Sequence, residues 1–156
     1  MLIEPEIPWN TGNAGRTCLA AGAQLHLVAP LGFSLDQKRV RRAGVDYWEH
    51  VSPVVHDDFA AFERILPELG APLFLSADAE RTLYQVEIPR DAVFLFGKES
   101  VGFDDDLRER YRDKLVRIPQ FDDRVRSINV STCVGIVLYE AVRRSNGSAE
   151  AGGSAS

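Results

Sequence analysis

The sequence predicts a layered α/β fold built on a mostly parallel sheet. Two observations carry this expectation. Short apolar runs recur along the chain, and one of them, Ala92-Val-Phe-Leu-Phe96, is apolar at every position. Such runs suit strands covered on both faces, as parallel strands are. Between them lie stretches whose apolar residues recur with the helical period, and strands that alternate with helices fold as a parallel sheet flanked by helices.

The elements follow in order. Leu2–Glu4 reads as the first strand. Thr11–Ala21 reads as a helix with Asn10 as its N-cap. Gln24–Val28 is the second strand, and Asp36–Ala43 is a short helix closed by Gly44. Asp57–Leu66 places Phe59, Phe62, Ile65, Leu66 and Leu69 at helical spacing, and Pro67 is expected to end or kink it. Leu73–Ser76, Ala92–Phe96 and Lys114–Ile118 are three further strands, the last closed by Pro119. Asp104–Arg112 is a short, charged helix whose acidic start suits the helix dipole. The final helix, Asn129–Arg144, carries Val130, Cys133, Val134, Val137, Leu138 and Ala141 on one face. Residues 145–156 are almost all small and polar, so a disordered tail is expected after a single domain over residues 1–144.

Composition bounds the function. The chain has 156 residues, 45% hydrophobic and 26% charged, which is enough apolar material for one core. Eighteen basic and twenty-three acidic residues give a net charge of −5. That excludes a uniformly basic coat and leaves room for a local basic face. Cys18 and Cys133 lie far apart, and no cluster of Cys and His has zinc-ligand spacing, so no metal is expected. Two buried thiols are the preferred reading of the cysteines, with a disulfide as the alternative. No apolar run approaches the ~20 residues of a membrane helix. An acidic N-terminus bearing two prolines is not a signal peptide. A cytoplasmic protein away from the membrane is expected.

Parallel sheets bind ligands beyond the carboxyl ends of their strands, which directs attention to residues 5–16, 76–82, 97–103 and 118–129. In Glu4-Pro-Glu-Ile-Pro-Trp-Asn-Thr-Gly-Asn-Ala-Gly-Arg16, the residues Asn10, Gly12 and Gly15 suggest close backbone approach at a helix N-terminus, a place that favours an anionic group. Arg16 is placed to clamp a phosphate, or is simply solvated. Trp9 is either a stacking platform or a dimer contact. Gly97 ends a buried strand where a ligand can approach the backbone, and Glu99 can accept backbone amide hydrogens and fix its loop. Ser127 and Asn129 are N-cap types, and the Asn129 amide can also orient a hydroxyl. In Lys38-Arg-Val-Arg-Arg42 four residues of five are basic, which makes either a solvated face or a contact for a polyanion. Tyr47 and Trp48 follow closely and offer rings to unstacked bases. His26 reads as structural, and His50 and His56 have no partner at a telling spacing. Neither G-x-G-x-x-G nor a P-loop follows the first strand, and no Ser/His/Asp set supports hydrolysis.

Three of these segments together resemble the SPOUT superfamily of RNA methyltransferases, in its TrmH-related 2′-O-ribose branch. They are Asn10-x-Gly-x-x-x-Arg16, Phe96-Gly-x-Glu-x-x-Gly102, and Ile118-Pro followed by Ser127-x-Asn-x-Ser131 with a helix through Leu138-Tyr-Glu140. Glu4-Pro-Glu-Ile-Pro8 and Lys38-Arg-Val-Arg-Arg-Ala-Gly-Val-Asp-Tyr47 are similar to the small wobble-position tRNA enzymes of that branch. The sequence departs from the family pattern at Trp9, where proline is usual, and at Lys98 and Ser100-Val101, where proline and Thr-Arg are usual.

The resemblance implies a C-terminal deep trefoil knot and a homodimer binding S-adenosyl-L-methionine. It implies 2′-O-methylation of the ribose at tRNA position 34, a cytidine or modified uridine. Another tRNA position, rRNA, or a non-catalytic RNA-binding module are the alternatives. It places cofactor contacts on Leu75, Ser76, Gly97, Glu99, Ile118 and Ser127, and the reacting hydroxyl near Arg16, Asn129 and Ser127. RNA contacts are expected from Asn10, Arg39, Arg41 and Arg42.

Overall fold

A computed structural model describes residues 1–35 and 47–151. Six strands form one sheet: β1 (Leu2–Ile3), β2 (His26–Val28), β3 (Val54–His56), β4 (Ala71–Leu75), β5 (Ala92–Phe96) and β6 (Leu115–Val116). Their order is β3-β2-β1-β5-β4-β6, and every pairing is parallel. The helices are α1 (Pro8–Ala21), α2 (Trp48–Val51), α3 (Phe59–Leu69), α4 (Asp105–Arg110) and α5 (Val130–Ala151).

Strand side chains alternate between faces, and this sheet buries both. Leu2, Leu27, Leu73, Phe94 and Phe96 point to one side, where they pack with Ala14 and Cys18 of α1, Trp48 of α2, and Val134 and Val137 of α5. Ile3, Val28, Phe74 and Leu95 point to the other, against Phe62 and Leu66 of α3 and Leu107 of α4. Period-two alternation within continuously apolar strands therefore sorts residues between two cores rather than between core and solvent.

The order also locates the site. From β1 the chain moves outward through β2 to β3, whereas β4, β5 and β6 lie on the other side of β1. The neighbours β1 and β5 thus form the switch point beyond whose carboxyl ends such sheets bind ligands. The segments leaving them are residues 4–10 and 97–102.

Several expectations are corrected. α1 begins at Pro8, with Ile7 as its N-cap, so Asn10 lies inside the first turn and caps nothing there. Proline is well suited to the first helical position because its missing N–H would have no partner anyway. Pro67 neither ends nor visibly divides α3, which runs on to Leu69; only the last residues follow it, and Gly70 closes the turn by donating to Leu66 O at 3.1 Å. Trp48 is buried under α1 and offers no stacking face, while Tyr47 is exposed. The strand Val54–His56 and the one-turn helix Trp48–Val51 were not anticipated, because both are too short to show a period. α5 continues past Arg144 to Ala151. Of the tail expected over residues 145–156, residues 152–156 lie outside the described residues, as does the predicted helix Asp36–Ala43.

Two basic groups in the core region make stability depend on pH. The Met1 ammonium is buried, donates to Phe94 O at 2.9 Å, and is pushed down to about 6 by desolvation. It lies in a cavity of about 610 Å³ between Gln24–His26 and Arg90–Phe94. His26 stacks on His56 with ring nitrogens 2.9 Å apart and is pushed down to about 4, first by burial. Both groups bind protons more readily in the unfolded chain, so their contribution to stability is complete above pH 8 and is lost as pH falls through 6 and then 4. Thermal unfolding followed from pH 8 to pH 4 should show a steady fall in Tm. A His26→Asn variant should flatten the part below about pH 6.5, the ordinary histidine value; an unchanged slope there would exclude His26 as its source.

Candidate active site

The loop after β5 is a tight reversal. Lys98 and Gly102 exchange backbone hydrogen bonds of 3.1 and 2.8 Å. Gly102 has φ +74°, which glycine adopts without strain. Gly97 is glycine for a different reason: a Cβ there would lie 2.4 Å from the Gly102 carbonyl carbon.

This loop and the one after β1 hold each other through carboxylates. Glu99 accepts the backbone N–H of Glu6 at 2.8 Å and of Ile7 at 3.4 Å, and the Asn10 side-chain amide at 3.4 Å. In return Glu6 accepts the Ser100 N–H at 2.9 Å and its hydroxyl at 3.0 Å. Lys98 pairs with Glu4 at 2.5 Å, which raises the lysine above its ordinary value. The protein's own Glu99 thus supplies an anion at the start of α1.

The third loop joins through an amide–amide bond. Asn129 Nδ2 donates to Asn10 Oδ1 at 3.0 Å. Asn129 Oδ1 accepts the Ser131 N–H at 2.9 Å and the Ser131 hydroxyl at 2.7 Å, and so caps α5. The capping and orienting readings of Asn129 are not exclusive: its oxygen is committed to the cap, and its nitrogen retains one N–H.

These loops enclose a cleft of about 510 Å³. Leu75, Ser76, Gly97, Glu99, Ile118, Ser127, Asn10 and Asn129 all line it. Arg16 does not; its guanidinium lies over the Tyr47 ring, 5.4 Å from the centroid. Arg39, Arg41 and Arg42 lie outside the described residues. Sequence reasoning missed Gln120, Arg126, Cys133 and the Arg108–Asp78 ion pair at 3.0 Å, all of which line the cleft. Arg108 gave no signal within a helix of mixed charge, and Gln120 could have been suspected from its place just past Pro119. Burial pushes the Cys133 thiol up to about 11, so it is neutral and not a nucleophile. Both cysteines are free. Among the described residues no group of His, Cys, Asp and Glu could hold a metal ion, and no helix is long and apolar enough to cross a membrane.

Comparison with known proteins agrees with this geometry. The model of the SpoU rRNA Methylase family matches residues 1–139. A tRNA (cytidine(34)-2'-O)-methyltransferase from Burkholderia cenocepacia is 40% identical over 148 residues, 92% of this chain and 93% of that protein. A solved structure reported as "Structural insights into the 2-OH methylation of C/U34 on tRNA" superposes with a TM-score of 0.85 at 44% identity, covering 94% of each chain. An AdoMet-bound rRNA methyltransferase from Sinorhizobium meliloti superposes with a TM-score of 0.71 at 26% identity, covering 92% of this chain and 54% of that one.

The carboxylate exchange should be measurable. Glu99 meets the Glu6 N–H with one oxygen and the Ile7 N–H with the other, so replacing it with Gln puts an N–H group against one backbone donor, and hydrogen bonds to charged groups are worth about 2 kcal/mol. Denaturant unfolding of Glu99→Gln should show a loss of that order, with faster amide exchange at Glu6 and Ile7.

Proposed function

We propose that this chain, which belongs to the SpoU rRNA Methylase family, is a tRNA 2′-O-methyltransferase that uses S-adenosyl-L-methionine to methylate the ribose of the wobble nucleotide, a cytidine or modified uridine at position 34. The observation that carries the reading is the closure of three loops, through Glu99 and the Asn10–Asn129 bond, around one cleft at the sheet's switch point.

The cleft suits the cofactor. Its volume falls within the roughly 300–1,000 Å³ of small-molecule sites. Leu75, Phe96, Ile118, Ile128 and Val130 offer apolar walls for a purine. The Gln120 side-chain oxygen, also at the cleft, is buried with no hydrogen-bond partner, which suits an exocyclic amine. Leu75, Ser76, Gly97, Ile118 and Ser127 would hold the cofactor, with Glu99 fixing the loop beneath it. When bound, S-adenosyl-L-methionine supplies an electrophilic methyl carbon on a sulfonium whose departure needs no proton.

The chain's own residues must then serve the nucleophile. A ribose hydroxyl attacks poorly until its proton is leaving, so alignment and charge stabilisation are the useful contributions. Arg16 is not a base, because a guanidinium keeps its protons above pH ~12. It stabilises negative charge growing on the oxygen and grips the neighbouring phosphate. Asn129 directs its remaining N–H at that oxygen, Ser127 orients it, and the proton leaves through water or a phosphate oxygen.

Arg16 follows Asn10 by six residues, which at about 100° each turns it some 240° around α1, away from the cleft of its own chain. The reading therefore includes a homodimer in which α1 and α5 meet their copies and Arg16 serves the cleft of the second copy. It also includes a trefoil knot, with the chain beyond β6 threaded through the loop between β4 and β5. Arg117 hydrogen-bonds both Arg81 and Leu83 of that loop, and Arg144 of α5 binds Leu83 O and Val86 O, in keeping with such a path. Arg39, Arg41 and Arg42 supply the phosphate-binding face that an acidic chain needs to meet tRNA in the cytoplasm.

Labelled S-adenosyl-L-methionine and tRNA lacking the modification should yield a 2′-O-methylated nucleoside at position 34. Absence of cofactor affinity in folded protein would sink the reading, and label on rRNA alone would redirect it. Arg16→Lys should lower kcat at least tenfold, a loss of ~1.4 kcal/mol of transition-state stabilisation, with cofactor Kd unchanged. Neutralising Arg39, Arg41 and Arg42 should weaken tRNA binding and flatten its salt dependence by about one unit of slope per lost phosphate contact.

A further inference from the structure

Trp9 stands out as the largest exposed side chain on α1, with 60% of its surface accessible. An indole left this open in a 14-residue helix needs an explanation, since it forgoes the burial that large aromatic side chains gain most from. Ile7 and Asn10 beside it line the cleft of their own chain, whereas Trp9 shares the face of Arg16, which the proposed function turns toward the second copy. Its placement on the helix is equally informative. Trp9 and Arg16 are seven residues apart, two turns along, and so share one face, with exposed Asn13 between them. The guanidinium at the far end of this stripe lies over the half-exposed Tyr47 ring. One face of α1 thus presents an aromatic plane, an amide, and a cation backed by a second aromatic plane.

We propose that Trp9 is a substrate-binding residue that stacks on the nucleobase of the nucleotide being methylated. This rests on the proposed function, in which Arg16 takes that nucleotide's phosphate and ribose. Seven residues span about 10.5 Å at 1.5 Å per residue, and both long side chains lean toward the helix N-terminus, so the rise sets the order of their spacing. A nucleotide that bridges the two would put its base on the indole and its phosphate at the guanidinium. Single-stranded loops are recognised by splaying bases onto aromatic rings, and such stacking tolerates any base while favouring those that unstack easily. An anticodon base is already outside a duplex. Tyr47 keeps the guanidinium flat at the end of the stripe, as cation–π packing does.

The test uses the full chain and an anticodon stem-loop RNA. Trp48, the other tryptophan, is buried and supplies a constant background. Titration with RNA should quench the exposed indole, and the quench should vanish in Trp9→Leu. With wild type confirmed as active, Trp9→Leu should lower kcat/KM for RNA about tenfold, the factor given by ~1.4 kcal/mol within the measured range of base–aromatic stacking. Cofactor Kd should stay unchanged, and Trp9→Tyr should restore most of the loss. The proposal is overturned if Trp9→Leu matches wild type, if leucine serves as well as tyrosine, or if Trp9→Leu sediments as a smaller species, which would make the indole a contact between copies. Inactive wild type would instead remove the methyltransferase reading on which it rests.

Discussion

The structure depends on an exchange of carboxylates across the middle of the sheet. β1 is only two residues long and pairs with β5 at a single register position, Leu2 with Phe96. So short a ladder holds two long loops weakly. Glu6 and Glu99 compensate by each reaching into the other's loop and accepting its backbone N–H groups. The arrangement answers two requirements together. It satisfies N–H groups at the start of α1, where no side-chain cap is present, and it sets the floor of the cleft at a distance no flexible loop would keep. Gly97 and Gly102 are consequences, because only glycine permits the reversal that brings Glu99 to face Glu6.

Asn10 extends this constraint to the far end of the chain. Buried in the first turn of α1, it donates to Glu99 and accepts from Asn129. Loop one, loop two and the start of α5 therefore form one hydrogen-bonded chain. The price of this rigidity is chemical: Asn129 has no acceptor left to offer a hydroxyl, so whatever takes a proton in this cleft is not its amide.

Much of this was legible in the sequence, for reasons that can be named. Ala92–Phe96 was read with its final boundaries because five apolar residues in a row mark a strand buried on both faces. The capping of α5 by Asn129 and the fixing of a loop by Glu99 are legible because an amide before a helix and a carboxylate among backbone N–H groups each have a strong local use. The failures share a different cause. Asn10 looks like an N-cap, yet Pro8 moved the helix start upstream, and proline's fixed geometry outweighed the capping preference. Val54–His56 is an edge strand with two exposed valines, so hydrophobic patterning could not reveal it. Trp48 looked like a free ring beside a basic run, but packing under Gly15 of α1 takes it into the core. Arg16 stayed outside the cleft because helical phase, not sequence proximity, decides which groups meet.

The buried Met1 ammonium has a practical corollary. Its hydrogen bond to Phe94 O needs one N–H, which an uncharged amide also offers. An acyl group joined at Met1 would turn a titrating amine into an amide that stays neutral, and so would remove the Met1 part of the pH dependence. A label at that position would therefore change the pH profile of unfolding while leaving the cleft untouched.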